Sequence, residues 1–160
     1  VNVHQGSGHD FSAGILVDEG GDDTYALAGL AGGSSNCQGF GLFVDNDGVD
    51  TYTATSTRAI GYGNQSSECA SPPRTEAFSI GLFLDSGGDE DTYSWPDDGG
   101  PSNDAAFGHR AFDGPDEFGG GVDGDGETGV HAGFWASSTN ASGTVTRSGP
   151  DTRWGNRPCP

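Results

Sequence analysis

Aspartate recurs in this chain in a fixed setting. Asp18, Asp22 and Asp23 lie in one short stretch, Asp45, Asp47 and Asp50 in a second, Asp85, Asp89 and Asp91 in a third, and Asp123 and Asp125 in a fourth. Carboxylate oxygens on short Gly-rich turns are hard ligands, and they suit Ca²⁺, which takes about six to eight oxygens. Asp45-Asn46-Asp47-Gly48-Val49-Asp50 has the D-x-D-G spacing of many calcium loops, and Asp123-Gly124-Asp125-Gly126-Glu127 repeats it. The expected chemistry is cation ligation, with Ca²⁺ as the cofactor. The competing reading is a solvated acidic turn that binds nothing specifically.

These acids sit in a repeated frame. Residues 14–25 read Gly-Ile-Leu-Val-Asp, an acidic Gly-rich turn, then Asp-Thr-Tyr, and residues 41–52 and 81–93 repeat the form, the latter with one extra turn residue. Residues 121–128 are a worn fourth copy. Three apolar residues ending in Asp predict a short strand, and Thr-Tyr after the turn predicts the start of another. Gly pairs in the turn supply positive φ at little steric cost. The key aspartates, 18, 45, 85 and 123, step by 27, 40 and 38 residues, and periods of about 20–50 residues mark stacked repeat architectures. The expected fold is all-β, a β-solenoid or parallel β-helix-like stack of irregular rungs with long loop insertions. Asp18, Asp45 and Asp85 would form one ladder and Tyr25, Tyr52 and Tyr93 another. A carboxylate ladder repels itself unless a cation sits between its members.

Gly-Gly-Asp-Asp-Thr-Tyr and Gly-Gly-Asp-Glu-Asp-Thr-Tyr resemble the glycine- and aspartate-rich calcium repeats of secreted bacterial proteins, the RTX parallel β-roll. The likeness covers these turns only, since the strict G-G-x-G-x-D-x-U-x nonapeptide never runs in tandem here. The longer unit, with Asp-x-Gly-Gly-Asp-Asp-x-Tyr, is also similar to a repeat of uncharacterised extracellular bacterial proteins. These resemblances imply a β-solenoid and an extracellular or cell-surface setting, and no particular activity.

Composition narrows the partners. A length of 160 residues predicts one domain, 1–160, with residues 129–160 forming terminal strands and a tail. The net charge of −18, from 24 acids against 6 bases, argues against nucleic acid and anionic membranes as partners. No transmembrane run or signal peptide is visible, so membrane insertion is not expected. Only 31% of residues are hydrophobic and 30 are Gly, so the core needs support from metal, disulfide or neighbouring molecules.

The remaining motifs are local. Cys37 and Cys69 are expected to form a disulfide joining two inter-repeat segments, leaving Cys159 as the odd cysteine. Asn64-Gln65-Ser66 and Asn140-Ala141-Ser142 are N-glycosylation sequons, making Asn64 and Asn140 candidate acceptors. His4, His9 and Asp10 could form a transition-metal group, but polar side chains closing a turn are the favoured reading. The apolar triplets have two apolar faces, and Leu16, Phe43 and Phe83 are read as a stripe for assembly. No catalytic framework appears: H-E-x-x-H, the Gly-x-Ser-x-Gly elbow and the phosphate loop are all absent. The expected function is a secreted, calcium-stabilised structural protein that self-assembles into a fibre, sheath or surface layer. The alternative is a carbohydrate- or surface-binding module using Trp95, Trp135 and Trp154.

Overall fold

The structure, a computed structural model, describes residues 4–64, 77–86, 88, 90–96, 106–108, 117–124, 138–139 and 145–146. The described residues form strands and turns without helix. Each repeat contributes short strands separated by sharp turns. The first repeat supplies β1 (Gly8–His9), β2 (Ala13–Asp18) and β3 (Thr24–Leu27). The second supplies β4 (Ser35–Asn36), β5 (Phe40–Asp45) and β6 (Thr51–Ala54). The third supplies β7 (Gly63–Asn64), β8 (Ser79–Ser86) and β9 (Thr92–Ser94). Then follow β10 (Ala106–Gly108), β11 (Glu117–Gly124), β12 (Ser138–Thr139) and β13 (Val145–Thr146).

The expectation of a single solenoid stack is corrected here. The strands divide among three separate sheets built on parallel pairing, ordered β1-β4-β7, β10-β11-β8-β5-β2 and β3-β6-β9, while β12 and β13 form a two-stranded antiparallel sheet. In addition, β10 runs antiparallel to β11. The physical reason lies in the turns. The acidic Gly-rich turn ends β2, β5 and β8, so the strand after it joins a different sheet. Hydrogen bonding then runs between equivalent strands of successive repeats.

Register is strict. Asp18 pairs with Asp45, Asp45 with Asp85, and Asp85 with Asp123. Tyr25 pairs with Tyr52 and Tyr52 with Tyr93. Both ladders expected from the sequence are therefore present, and the worn fourth copy continues the Asp ladder.

Strand alternation separates two faces. Phe43 and Phe83 are fully buried, with Leu16 packed against them, in a core with Tyr25, Leu27, Tyr52 and Ile60. The assembly stripe Leu16, Phe43 and Phe83 is thus corrected to an inward-facing core row. The outward row is its neighbour in register: Ile15 and Val17 are 61% and 52% exposed, and Leu42, Val44, Leu82 and Leu84 are half-buried. Parity is decided by glycine. Gly14, Gly41, Gly81 and Gly119 share the inward face and lie under the backbone leading through β1, β4 and β7. A Cβ at Gly81 would stand 2.5 Å from the Tyr62 carbonyl oxygen, and one at Gly119 2.5 Å from that of Gly61. Gly14 and Gly41 press on Ser7 and Ser34 in the same way.

Aromatic rings fill the space between two of the sheets. Tyr25 stacks on Tyr52 at 5.0 Å and Tyr52 on Tyr93 at 4.9 Å, while Phe43 stacks on Phe83 at 5.2 Å. The two columns meet edge to face, as between Tyr52 and Phe83 at 86°. Both arrangements suit the ring quadrupole.

Candidate metal centre

The Asp ladder lies on the inward face, two residues beyond the phenylalanines. Alternation therefore carries Asp45 and Asp85 into the same buried layer as Phe43 and Phe83. Both are fully buried, and Asp123 is 2% exposed. After the turn, Asp50 and Asp91 immediately precede β6 and β9 and are also buried. One carboxylate oxygen from each of Asp45, Asp50 and Asp85 lies within 4.8 Å of the other two, and the same holds for Asp85, Asp91 and Asp123.

Asp18, Asp45, Asp50, Asp85 and Asp91 are each oriented by a hydrogen-bond donor. The Tyr25 hydroxyl lies 2.9 Å from Asp18 Oδ2 and 2.7 Å from Asp45 Oδ2. Tyr52 approaches Asp45 Oδ2 at 3.2 Å, and Tyr93 approaches Asp85 Oδ2 at 3.0 Å. Asp50 Oδ1 accepts from the Asp23 amide at 2.7 Å, and Asp91 Oδ1 accepts from the Asp50 amide at 2.5 Å. A tyrosine hydroxyl carries one proton, so it satisfies only part of the acceptor capacity that it faces. Asp45 Oδ1, Asp50 Oδ2 and Asp85 Oδ1 are buried and have no hydrogen-bond donor.

The electrostatics are severe. Two like charges about 4.8 Å apart repel by about 3 kcal/mol at an effective dielectric of about 20. Burial pushes Asp85 up to about 8, with the Asp91 and Asp123 charges adding to it against the lowering pull of the Tyr52 and Tyr93 hydroxyls. Burial also pushes Asp50 up to about 6, reinforced by Asp45 and Asp91 and opposed by the Asp23 amide. Asp18 goes the other way, held below the ordinary carboxylate range by the Tyr25 hydroxyl and then the Gly20 amide. Burial and the facing carboxylates raise Tyr25, Tyr52 and Tyr93, so all three keep their protons.

Buried carboxylates with unpartnered oxygens need a proton or a cation. The donor set fits a metal ion: among the described residues every candidate ligand is a hard oxygen, without thiolate or imidazole to favour a softer metal. These clusters of buried aspartates could hold a metal ion.

The grouping differs from the one read along the chain. The sequence grouped the acids turn by turn, whereas the structure groups them between repeats: Asp45 and Asp50 meet Asp85, and Asp85 and Asp91 meet Asp123. Asp47 is exposed and stands outside both clusters. In the first repeat Asp22 and Asp23 are exposed and Asp18 is half-buried; Asp22 Oδ1 accepts from the Val49 amide at 3.1 Å. Asp89 and Asp125 lie outside the described residues. The tyrosine hydroxyls were missed as partners of the aspartates. The recurrence of Asp-Thr-Tyr with its Tyr seven or eight residues after the strand-ending Asp was the available signal.

Other candidate residues are placed as follows. Cys37 is buried and disulfide-bonded, while Cys69 and Cys159 lie outside the described residues. Asn64 is buried, and its Nδ2 donates to Asn36 Oδ1; Asn140 lies outside the described residues. His9 Nδ1 contacts Asp10 Oδ2 at 3.1 Å, and His4 is exposed. Trp95 packs half-buried against the core, and Trp135 and Trp154 lie outside the described residues. No helix among the described residues is long and apolar enough to cross a membrane. Comparisons with protein-family models, with curated proteins and with solved structures find no match.

Proposed function

We propose that this chain is a secreted, calcium-stabilised structural protein that works as a self-associating unit outside the cell. The observation that carries the reading is the pair of buried aspartate clusters between successive repeats, with oxygens that lack donors. A cation there neutralises charge and ties one repeat to the next. That is a structural use, because the ligands come from separate repeats and are buried. Calcium is favoured among hard cations because it accepts irregular, carboxylate-rich shells, whereas Mg²⁺ demands near-octahedral geometry and keeps its water. The disulfide at Cys37 favours an oxidising compartment, with Cys69 as the proposed partner. Self-association is favoured by β2, the outermost strand of its sheet, where Ile15 and Val17 are exposed. The carbohydrate-binding alternative has less support, since Trp95 packs on the core rather than standing clear of it.

The test is metal analysis and thermal melting of the purified chain, with calcium and after chelation. Bound calcium and a melting temperature that falls by at least several degrees on its removal are expected. Metal-free protein with an unchanged melt would overturn the reading. Sedimentation across a concentration series checks self-association, and a monomer at all concentrations in calcium would remove that part.

A further inference from the structure

Resting on the cation-binding reading above, we propose that Asp85 is a bridging ligand shared by two divalent cations. One ion is held with Asp45 and Asp50, the other with Asp91 and Asp123. The chain therefore binds its buried cations as one carboxylate-bridged pair spanning the second, third and fourth repeats, not as one ion per acidic turn.

Three observations support this. Asp85 is the one residue common to both clusters among the described residues. It sits in the middle of the Asp ladder, with Asp45 on one side and Asp123 on the other. Its two oxygens are also differentiated: Oδ2 is held by the Tyr93 hydroxyl at 3.0 Å, while Oδ1 is buried without a donor. Asp45 and Asp50 are arranged alike. Asp45 Oδ2 takes the tyrosine hydroxyls and leaves Oδ1, and Asp50 Oδ1 takes the Asp23 amide and leaves Oδ2. In all three, one oxygen orients the carboxylate and the other remains to ligate.

Charge balance favours a pair. The clusters together hold five carboxylates, Asp45, Asp50, Asp85, Asp91 and Asp123. One divalent cation would leave a net charge of −3 in a buried space, and two leave −1. A bridging carboxylate also lies between the two cations and screens their mutual repulsion.

The first repeat marks the limit of the site. The equivalent trio would be Asp18, Asp23 and Asp45, but Asp18 is half-buried and Asp23 exposed. Asp18 Oδ1 accepts from the Gly20 amide, and its Oδ2 shares the single Tyr25 hydroxyl with Asp45. A third ion of the same kind is not expected there.

The experiment is calcium titration of the metal-stripped full chain by calorimetry. Terbium luminescence sensitised by Tyr52 and Tyr93 gives a second readout of ions in the core. Wild type should bind two ions tightly. Asp45→Asn and Asp123→Asn should each bind one, and Asp85→Asn none. Asn keeps the shape of Asp and removes its charge, so these variants perturb packing little. If Asp85→Asn does not fold, the double variant Asp45→Asn/Asp123→Asn serves instead, and it should bind none although Asp85 is intact. A tight stoichiometry of one or three in wild type would overturn the shared-ligand proposal, as would one tight ion retained by Asp85→Asn or by the double variant. Those outcomes leave the calcium reading standing. Complete absence of calcium and terbium binding overturns both.

Discussion

The Asp50 amide donates to Oδ1 of Asp91 at 2.5 Å, so a carboxylate of the third repeat caps the backbone of the second. The Asp23 amide reaches Asp50 in the same way at 2.7 Å. In the second and third repeats the residue that begins Asp-Thr-Tyr, Asp50 and Asp91, therefore has two tasks, as a backbone cap and as a member of an acidic cluster.

Substitutions at Asp91 separate those tasks. Asp91→Ala removes the acceptor and leaves the buried Asp50 amide unsatisfied, at a cost of about 1–3 kcal/mol. Asp91→Asn keeps an acceptor oxygen and removes a buried negative charge. In metal-stripped protein Asp91→Asn should be neutral or stabilising and Asp91→Ala destabilising. In calcium both should lower stability. Urea denaturation of the variants with and without calcium measures this, and equal losses for the two variants in stripped protein would disprove the capping role.

Tyr52 carries a second prediction. Its ring is fully buried between Tyr25 and Tyr93, and its hydroxyl faces Asp45. Tyr52→Phe keeps the stack and removes a hydrogen bond to a charged group, so a loss of about 1.5–3 kcal/mol is expected. Tyr52→Ala also opens a cavity and should cost more, about 3–5 kcal/mol. Chemical denaturation in calcium gives both values, and a Phe variant as stable as wild type would show that the hydroxyl contributes nothing net.

Much of this arrangement was legible in the sequence. The recurrence of Asp-Thr-Tyr at a near-constant distance from Gly-x-x-x-Asp placed the strands and both ladders. The facing of the strands was not legible, because Ile15-Leu16-Val17 and Leu42-Phe43-Val44 are apolar on both parities. Gly41 and Gly81 held the answer: they share parity with Phe43 and Phe83 and lie where backbone from another sheet crosses at a distance that excludes a Cβ. The ligand grouping was hidden for another reason. Asp45, Asp47 and Asp50 are neighbours along the chain, but parallel stacking brings Asp85 to Asp45 and Asp50 and leaves Asp47 in solvent. Division of the strands among separate sheets follows from two kinds of turn, the acidic turns after β2, β5 and β8 and the positive-φ bends at Asp10-Phe11 and Cys37-Gln38 before β2 and β5, which a strand-and-turn pattern does not specify.

The dependence of stability on pH should differ between stripped and calcium-loaded protein. Asp85 and Asp50 are raised to about 8 and about 6 from an ordinary 3.8. The metal-free folded chain therefore holds these protons more tightly than the unfolded chain. Their contribution is fully favourable below about pH 4 and is lost as pH rises toward about 8. Calcium needs the ionised carboxylates, so protons compete with it and its stabilisation grows as pH rises. Denaturation midpoints at pH 5 and pH 8 should fall with pH in stripped protein, and the gain from calcium should be larger at pH 8. A gain from calcium that is the same at both values would rule out proton competition at these carboxylates.

Asn64 should remain unmodified despite its sequon. Its side-chain nitrogen is the atom a glycan would take, and in the folded chain that nitrogen donates to Asn36 Oδ1. The residue is only 8% exposed and lies in β7, paired in parallel with β4 at Asn36. A glycan would replace one of the two Nδ2 hydrogens beside the asparagine pair and force bulk into a packed strand, straining the pair. Breaking the pair alone costs about 1–3 kcal/mol, because Asn36 Oδ1 loses its donor in a buried place. Glycosylation precedes folding in a secretory host, so chains modified at Asn64 should fold poorly and be depleted from the soluble product. Peptide mapping of folded protein from such a host should return Asn64 bare, and Asn36→Ala should destabilise the chain by a comparable amount. Recovery of folded protein with Asn64 fully glycosylated would mean that β7 does not pair with β4 as described.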